Sequence, residues 1–366
     1  MTRRKYVALL LGLILSSGVV TLGRASGDIV QSVKARLPKL ELSQNDLDEL
    51  VSRKVMVRFL SSTNSKEIAG LGVILADASP EAFIESYRTL AVFRNSPHVI
   101  ELGAFSAAPQ LRDLEGLHVD NEDDYALSKA KVGDSDIKLS ESEIRGFQTI
   151  SAKYQNYHGS PAEMKQRFAE EYKKLLLERA ASYSQQGTEG MEPYADKPEK
   201  VNADQSIEAL AGEEAQSGRG CEHVWRFLQG QTQASQSSQA NSAGDTTLLY
   251  WAKEKFGELK NVINILHIMV HREGDRFYIA SRQVYSSHYT DAAMSVAEFI
   301  PFTDSAGQVH TIITYSLRLQ PDMLGGTLGF VKKRMAAPRI LGSLKDNLER
   351  LQATVESDAH QIEARK

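Results

Sequence analysis

Four stretches near the C-terminal end decide the fold: VINILHIMVH (Val262–His271), RFYIASRQVY (Arg276–Tyr285), HYTDAAMSVAEFIPF (His288–Phe302) and HTIITYSLRL (His310–Leu319). All four read as β-type segments. The connections REGD (Arg272–Asp275) and DSAG (Asp304–Gly307) have the composition of hairpin loops. Strands joined this tightly must run antiparallel, because a parallel partner needs a longer crossover. A sheet with one apolar face has to cover it. The cover comes next in the chain: Ile340, Leu341, Leu344, Leu348, Leu351 and Val355 fall on one face of a long helical region, with Lys345, Glu349 and Arg350 on others.

Working outward, the N-terminal half supplies more of the same sheet. Val55, Val57 and Phe59 alternate with Met56, Arg58 and Leu60, and Ile68–Ala76 returns after a Ser/Thr/Asn turn, so these two runs form a hairpin. Ser79-Pro80-Glu81 starts a helix carrying Phe83, Ile84, Tyr87, Leu90 and Ala91. Pro97 stops that pattern, and His98–Phe105 reads as a third strand. Ser43 is a plausible N-cap before Leu47, Leu50 and Val51, and short helices are expected over Pro109–Gly116 and Asn121–Lys129. From Ser140 to Ala243 strand signals nearly vanish. Ser160-Pro161-Ala162-Glu163 is a capping box opening a helix with Phe168, Tyr172, Leu175 and Leu176 on its stripe. Gln185–Lys200 reads as loop, Ser206–Leu210 and His223–Leu228 as helical pieces, Gln229–Asp245 as a flexible Gln/Ser/Asn-rich linker, and Leu248–Phe256 as a short helix.

Composition bounds what such a chain does. Its 366 residues allow about two domains, or one large one with an insertion. A net charge of −4 argues against a nucleic-acid binder, which usually shows a basic excess on one face. The single cysteine, Cys221, excludes a disulfide framework and any cysteine-rich zinc module. The first residues read as a secretory signal. Arg3, Arg4 and Lys5 precede an apolar run to Val20, and Gly23 and Ala25 occupy the small positions before Ser26. That run is short for a spanning helix, so a periplasmic or secreted location is expected rather than an uncleaved anchor.

The order hairpin, helix, strand, antiparallel meander and long closing helix resembles the START-like (helix-grip, SRPBCC-type) superfamily. The residues carrying it are Val73–Phe83 (VILADASPEAF), the strands from Val262 to Leu319, and the helix to about Val355. Tyr250–Gly257 (YWAKEKFG) with Ser281–Tyr289 (SRQVYSSHY) also resembles an uncharacterised group of exported bacterial proteins of this type. The resemblance implies an α+β fold in which a curved antiparallel sheet packs on the C-terminal helix around an apolar cavity. The corresponding division is a signal peptide (1–25), the N-terminal part of the core (26–139), a mainly helical insertion with linker (140–245), the C-terminal part of the core (246–357) and a polar tail (358–366).

The expected function is non-catalytic binding or carriage of a hydrophobic small molecule or lipid, with no cofactor, no metal, no nucleic-acid partner and no nominated protein partner. An enzyme of cyclase or hydrolase type using the same cavity is one alternative. An envelope interaction protein docking through the insertion is another. Polar groups for a ligand are sought in Arg282, Gln283, Tyr285, His288 and Tyr289. Strict alternation puts Phe277, Ile279, Gln283 and Tyr285 on one face, and Tyr278, Ala280, Arg282 and Val284 on the other. Arg282 leads, since a buried arginine needs an anionic or hydrogen-bonding partner.

Other constellations fall short. His267 and His271 lie on one strand, about 13 Å apart at four residues' spacing, too far to share a metal. An EF-hand started at Asp120 has Tyr125 and Lys131 where glycine and glutamate are required. No nucleophile elbow and no phosphate-binding loop occurs. Glycines 325, 326 and 329 followed by Phe330, Val331, Lys332, Lys333 and Arg334 suggest a hinge with membrane-surface contact.

Overall fold

The computed structural model describes residues 18–155, 160–230, 245–324 and 329–363. The charged and apolar parts of the expected signal before residue 18 lie outside it. From Gly18 a helix, α1 (Gly18–Arg36), runs through the expected cleavage position, and Ile29, Val33 and Leu37 on its second half are buried. Among the described residues no helix is long and apolar enough to cross a membrane.

Eight strands form one curved antiparallel sheet. They are β1 (Met56–Phe59), β2 (Ile68–Ala76), β3 (Val99–Ala104), β4 (Thr246–Glu254), β5 (Val262–Glu273), β6 (Arg276–Ser286), β7 (Thr290–Thr303) and β8 (Val309–Pro321). The order across the sheet is β1-β2-β8-β7-β6-β5-β4-β3. β4 to β8 make a plain meander. β2 then docks on β8 over nine residue pairs, from Ile68 opposite Leu319 to Ala76 opposite Thr311.

β4 corrects the sequence reading, which placed a helix over Leu248–Phe256. The segment pairs with both β3 and β5. Leu249 and Trp251 join the core on one face while Tyr250 and Ala252 join the core on the other. A strand buried on both faces loses the alternation by which it is recognised. Trp251 lies against Gly103 of β3, where a Cβ would come within 2.6 Å of the indole, and its Nε1 donates to the Asp113 carbonyl at 2.8 Å.

The helices cover the two faces unequally. One face carries α10 (Gly329–Glu363), α3 (Pro80–Arg88) and the single turn α4 (Ala91–Arg94). The other carries α1 and α2 (Gln44–Val51) over β2, and a helical layer over β4 to β7. That layer comprises α5 (Asn121–Lys129), α6 (Glu141–Gln155), α7 (Pro161–Gln186), α8 (Ala203–Gln216) and α9 (Glu222–Leu228). Local chemistry sets the starts. Ser43 with Asp46 and Ser160 with Glu163 close reciprocal capping boxes at α2 and α7.

α10 sits directly on β2. A Cβ at Gly72 would meet Leu348 Cδ1 at 2.1 Å, and one at Gly70 would meet Leu341 Cδ1 at 3.1 Å. The absent side chains let the helix approach the strand, and Leu344 and Leu348 are fully buried there. Each such leucine contributes about 1.5–3 kcal/mol of apolar burial.

Candidate functional site

β6 contains the five residues nominated from the sequence or leads into them, and its irregularity decides where they point. Pairing with β5 shifts between Ile265 and Leu266, so that Gln283 faces Leu266 but Tyr285 faces Ile265. The extra residue, Val284, makes a β-bulge, which re-aims the side chains after it. Tyr285 therefore shares the helical-layer face with Arg282, Ala280 and Tyr278. This corrects the strict alternation, which put Tyr285 with Phe277 and Ile279; those two face α10 and α3.

Arg282 is wholly buried under α9. Its Nε donates to the Tyr183 hydroxyl at 2.5 Å and Nη1 to the carbonyls of Phe227 at 2.6 Å and Leu228 at 3.3 Å. The rings of Tyr183 and Phe227 each lie 5.0 Å from the guanidinium carbon. Among the described residues no carboxylate reaches it, and Nη2 is a buried donor without an acceptor. The charge is met by the C-terminal carbonyls of α9, the negative end of that helix, and by ring faces. Since Arg282 only donates, the Tyr183 hydroxyl donates its own hydrogen bond to His267 Nδ1 at 2.8 Å. Burial and the neighbouring Arg282 charge push His267 well below the usual imidazole range, so it is neutral.

The other nominated residues also join protein partners. Tyr285 Oη lies 2.9 Å from Tyr172 Oη and donates to the Lys138 carbonyl at 3.0 Å. His288, also buried, bridges the Asp136 carbonyl and Asp123 Oδ1. Gln283 donates to the Thr290 carbonyl at 3.3 Å. Tyr289 turns the chain into β7 at φ 63°, and its hydroxyl accepts from the Lys260 amide. The five do not converge on one cavity. Arg282, Tyr285 and His288 tie the helical segments to the sheet, as does a buried Lys138 surrounded by Asp196, Asp291 and Asp322, while Gln283 and Tyr289 bond within the sheet and its loops.

On the α10 side a different arrangement opens. Between α10 and α3/α4, the rows of β5 to β8 are only partly covered. Leu266, Ser281, Ala293, Ser295, Leu317 and Leu319 are all half-buried. Ser281 stands opposite Ser295, Ser295 opposite Leu317, and Ala293 opposite Leu319. Small side chains on β6 and β7 thus lie between leucines on β5 and β8, a shallow trough with a serine and alanine floor and an apolar rim. Toward α3 the same face closes: Phe83 packs on Phe299 at 5.5 Å and Phe93 on Tyr250 at 5.1 Å. The start of α10 carries exposed Val331 and Met335 among Lys332, Lys333 and Arg334. Lys333 reaches the Ser65 carbonyl, three residues before Ile68, which pairs with Leu319. The basic turns and the Leu319 end of the trough are therefore at the same end of the sheet.

Sequence reasoning passed over this trough because serine and alanine on a strand carry no chemical signature; only the register between strands reveals their alignment. It also missed a cluster of His223, Asp245 and His271, drawn from three elements and separated in sequence by the stretch 231–244. No protein-family model and no curated protein matches the chain.

Proposed function

We propose that the protein is an exported, non-catalytic binder and carrier of a hydrophobic, lipid-like molecule, in a START-like (helix-grip) arrangement. The ligand lies in the trough of Leu266, Ser281, Ala293, Ser295, Leu317 and Leu319, against α10. The observation that carries this reading is the row of small side chains on β6 and β7, half-open to solvent beside the α10 helix. Apolar walls supply affinity at about 25 cal/mol per Å² removed from water. Orientation falls to the Ser281 hydroxyl and to the basic turns at the start of α10, which favour an anionic headgroup and an anionic membrane surface. Arg282, Tyr285 and His288 have no part in it, since they serve the other face.

Native mass spectrometry of gently purified protein, with solvent extraction and a panel of fatty acids and phospholipids, tests the reading. A bound lipid, or saturable uptake of one, is expected. Ser295→Phe and Ala293→Phe fill the trough, and each is expected to weaken uptake at least tenfold while leaving the circular dichroism spectrum intact. A protein that is empty and takes up none of the panel, or one in which both filled variants bind as the parent does, would overturn it.

A further inference from the structure

The His223–Asp245–His271 cluster lies on the helical-layer side of the sheet, away from the trough. Asp245 precedes β4, His271 is near the end of β5, and His223 is in the first turn of α9. Asp245 Oδ1 is 2.6 Å from His271 Nδ1, and Oδ2 is 2.5 Å from His223 Nε2. The two imidazoles stack with centroids 4.4 Å apart at 10°. Three donor atoms, one from each residue, lie within 4.8 Å of one another.

Two imidazoles share one buried carboxylate in this cluster. Elsewhere buried carboxylates meet a lysine or arginine, as Asp196 meets Lys138 and Glu67 and Glu214 meet Arg318, or one histidine, as Asp123 meets His288. Asp245, with a side chain 3% exposed, pairs only with histidines among the described residues. A buried carboxylate requires a compensating positive charge. A metal ion shared by the carboxylate and the two imidazoles supplies it. One side of the cluster is open, because the His223 side chain is 36% exposed.

We propose that His223 Nε2, His271 Nδ1 and the Asp245 carboxylate bind one divalent zinc ion, with water in the remaining position. Two imidazoles and a carboxylate are donors zinc accepts with bonds of about 2.0–2.2 Å. Donors around a tetrahedral zinc stand about 3.3 Å apart, so the existing contacts open by roughly 1 Å, most readily by a swing of the half-exposed His223 ring. Cys221, His271 and Glu273 form a separate donor group that shares His271. Zinc would tie α9 to β5 and to the residue that leads into β4.

Zinc titration of the chelator-treated full chain by calorimetry, with thermal unfolding in parallel, decides the matter. One zinc per chain and a raised unfolding temperature are expected. His223→Ala is expected to weaken binding about tenfold or more, Asp245→Asn likewise, and His98→Ala not at all. His223 is partly exposed, so its variant folds even if Asp245→Asn does not. Failure to bind zinc stoichiometrically, or a His223→Ala variant that binds as tightly as the parent, would overturn the assignment.

Discussion

Arg282 is a fully buried cation held by a helix end and two rings rather than by an acid. Removing it leaves the Phe227 carbonyl and the Tyr183 hydroxyl without their donor. Arg282→Ala is therefore expected to lower stability by about 3 kcal/mol, read from urea unfolding. The same chain of hydrogen bonds sets a pH dependence. His267 is neutral in the fold, and its folded pKa lies below that of the unfolded chain. As pH falls below about 6.5 the unfolded state takes up a proton that the folded state refuses, so stability drops from pH 7 to pH 5. His267→Asn is expected to flatten that slope in denaturant titrations run at each pH. Asp124 gives the opposite slope. Burial and neighbouring Asp123 raise it to about 6, so stability falls as pH rises from about 4 to 6. Asp124→Asn removes this penalty, by on the order of 1 kcal/mol once solvent screening is allowed for. At this scale the sequence shows that Arg282 needs a partner, but the partner comes from α9, 54 and 55 residues away along the chain. Nor does alternation foresee Val284, whose extra place in the strand turns Tyr285 toward Arg282.

Most elements were legible because capping and periodicity agree with the tertiary environment. Ser43, Ser160 and Pro80 mark helix starts that the structure retains. β4 was not legible: helices press on one face and α4 on the other, so burial on both sides erased its period. Nor does sequence reveal why Gly70 and Gly72 are glycines. Their reason is α10, more than 250 residues downstream. Gly72→Ala places a methyl group on Leu348 and should push the helix off β2. A loss of about 1–3 kcal/mol is expected, with faster proteolytic cutting in α10 than in the parent.

For the whole molecule, the sheet is a partition with an asymmetric cover. The helical layer is fastened to it by buried ion pairs, while the α10 side is apolar and partly open. Lys138 joins the loop before α6 to Asp196, Asp291 and Asp322, at 3.7, 2.5 and 3.4 Å. Lys138→Met leaves buried Asp196 and half-buried Asp291 without this cation, while Asp322 keeps Lys197. We expect a loss of about 3–5 kcal/mol, with hydrogen-exchange protection lost first in α6 and α7. The α+β class, the meander and the closing helix follow from sequence pattern. The division of labour between the two faces does not, since it depends on where the segment 140–245 lands, and no local signal encodes that.

The pairing of β2 with β8 carries a cost in time. The strand completed by Ala76 has only the short β1 beside it until the chain has been made past residue 309, and the helix that seals its glycine face is later still. More than two hundred residues must therefore exist before the sheet can be joined. Until β8 is made, the edge of β2 in a nascent chain is open to any strand that reaches it first.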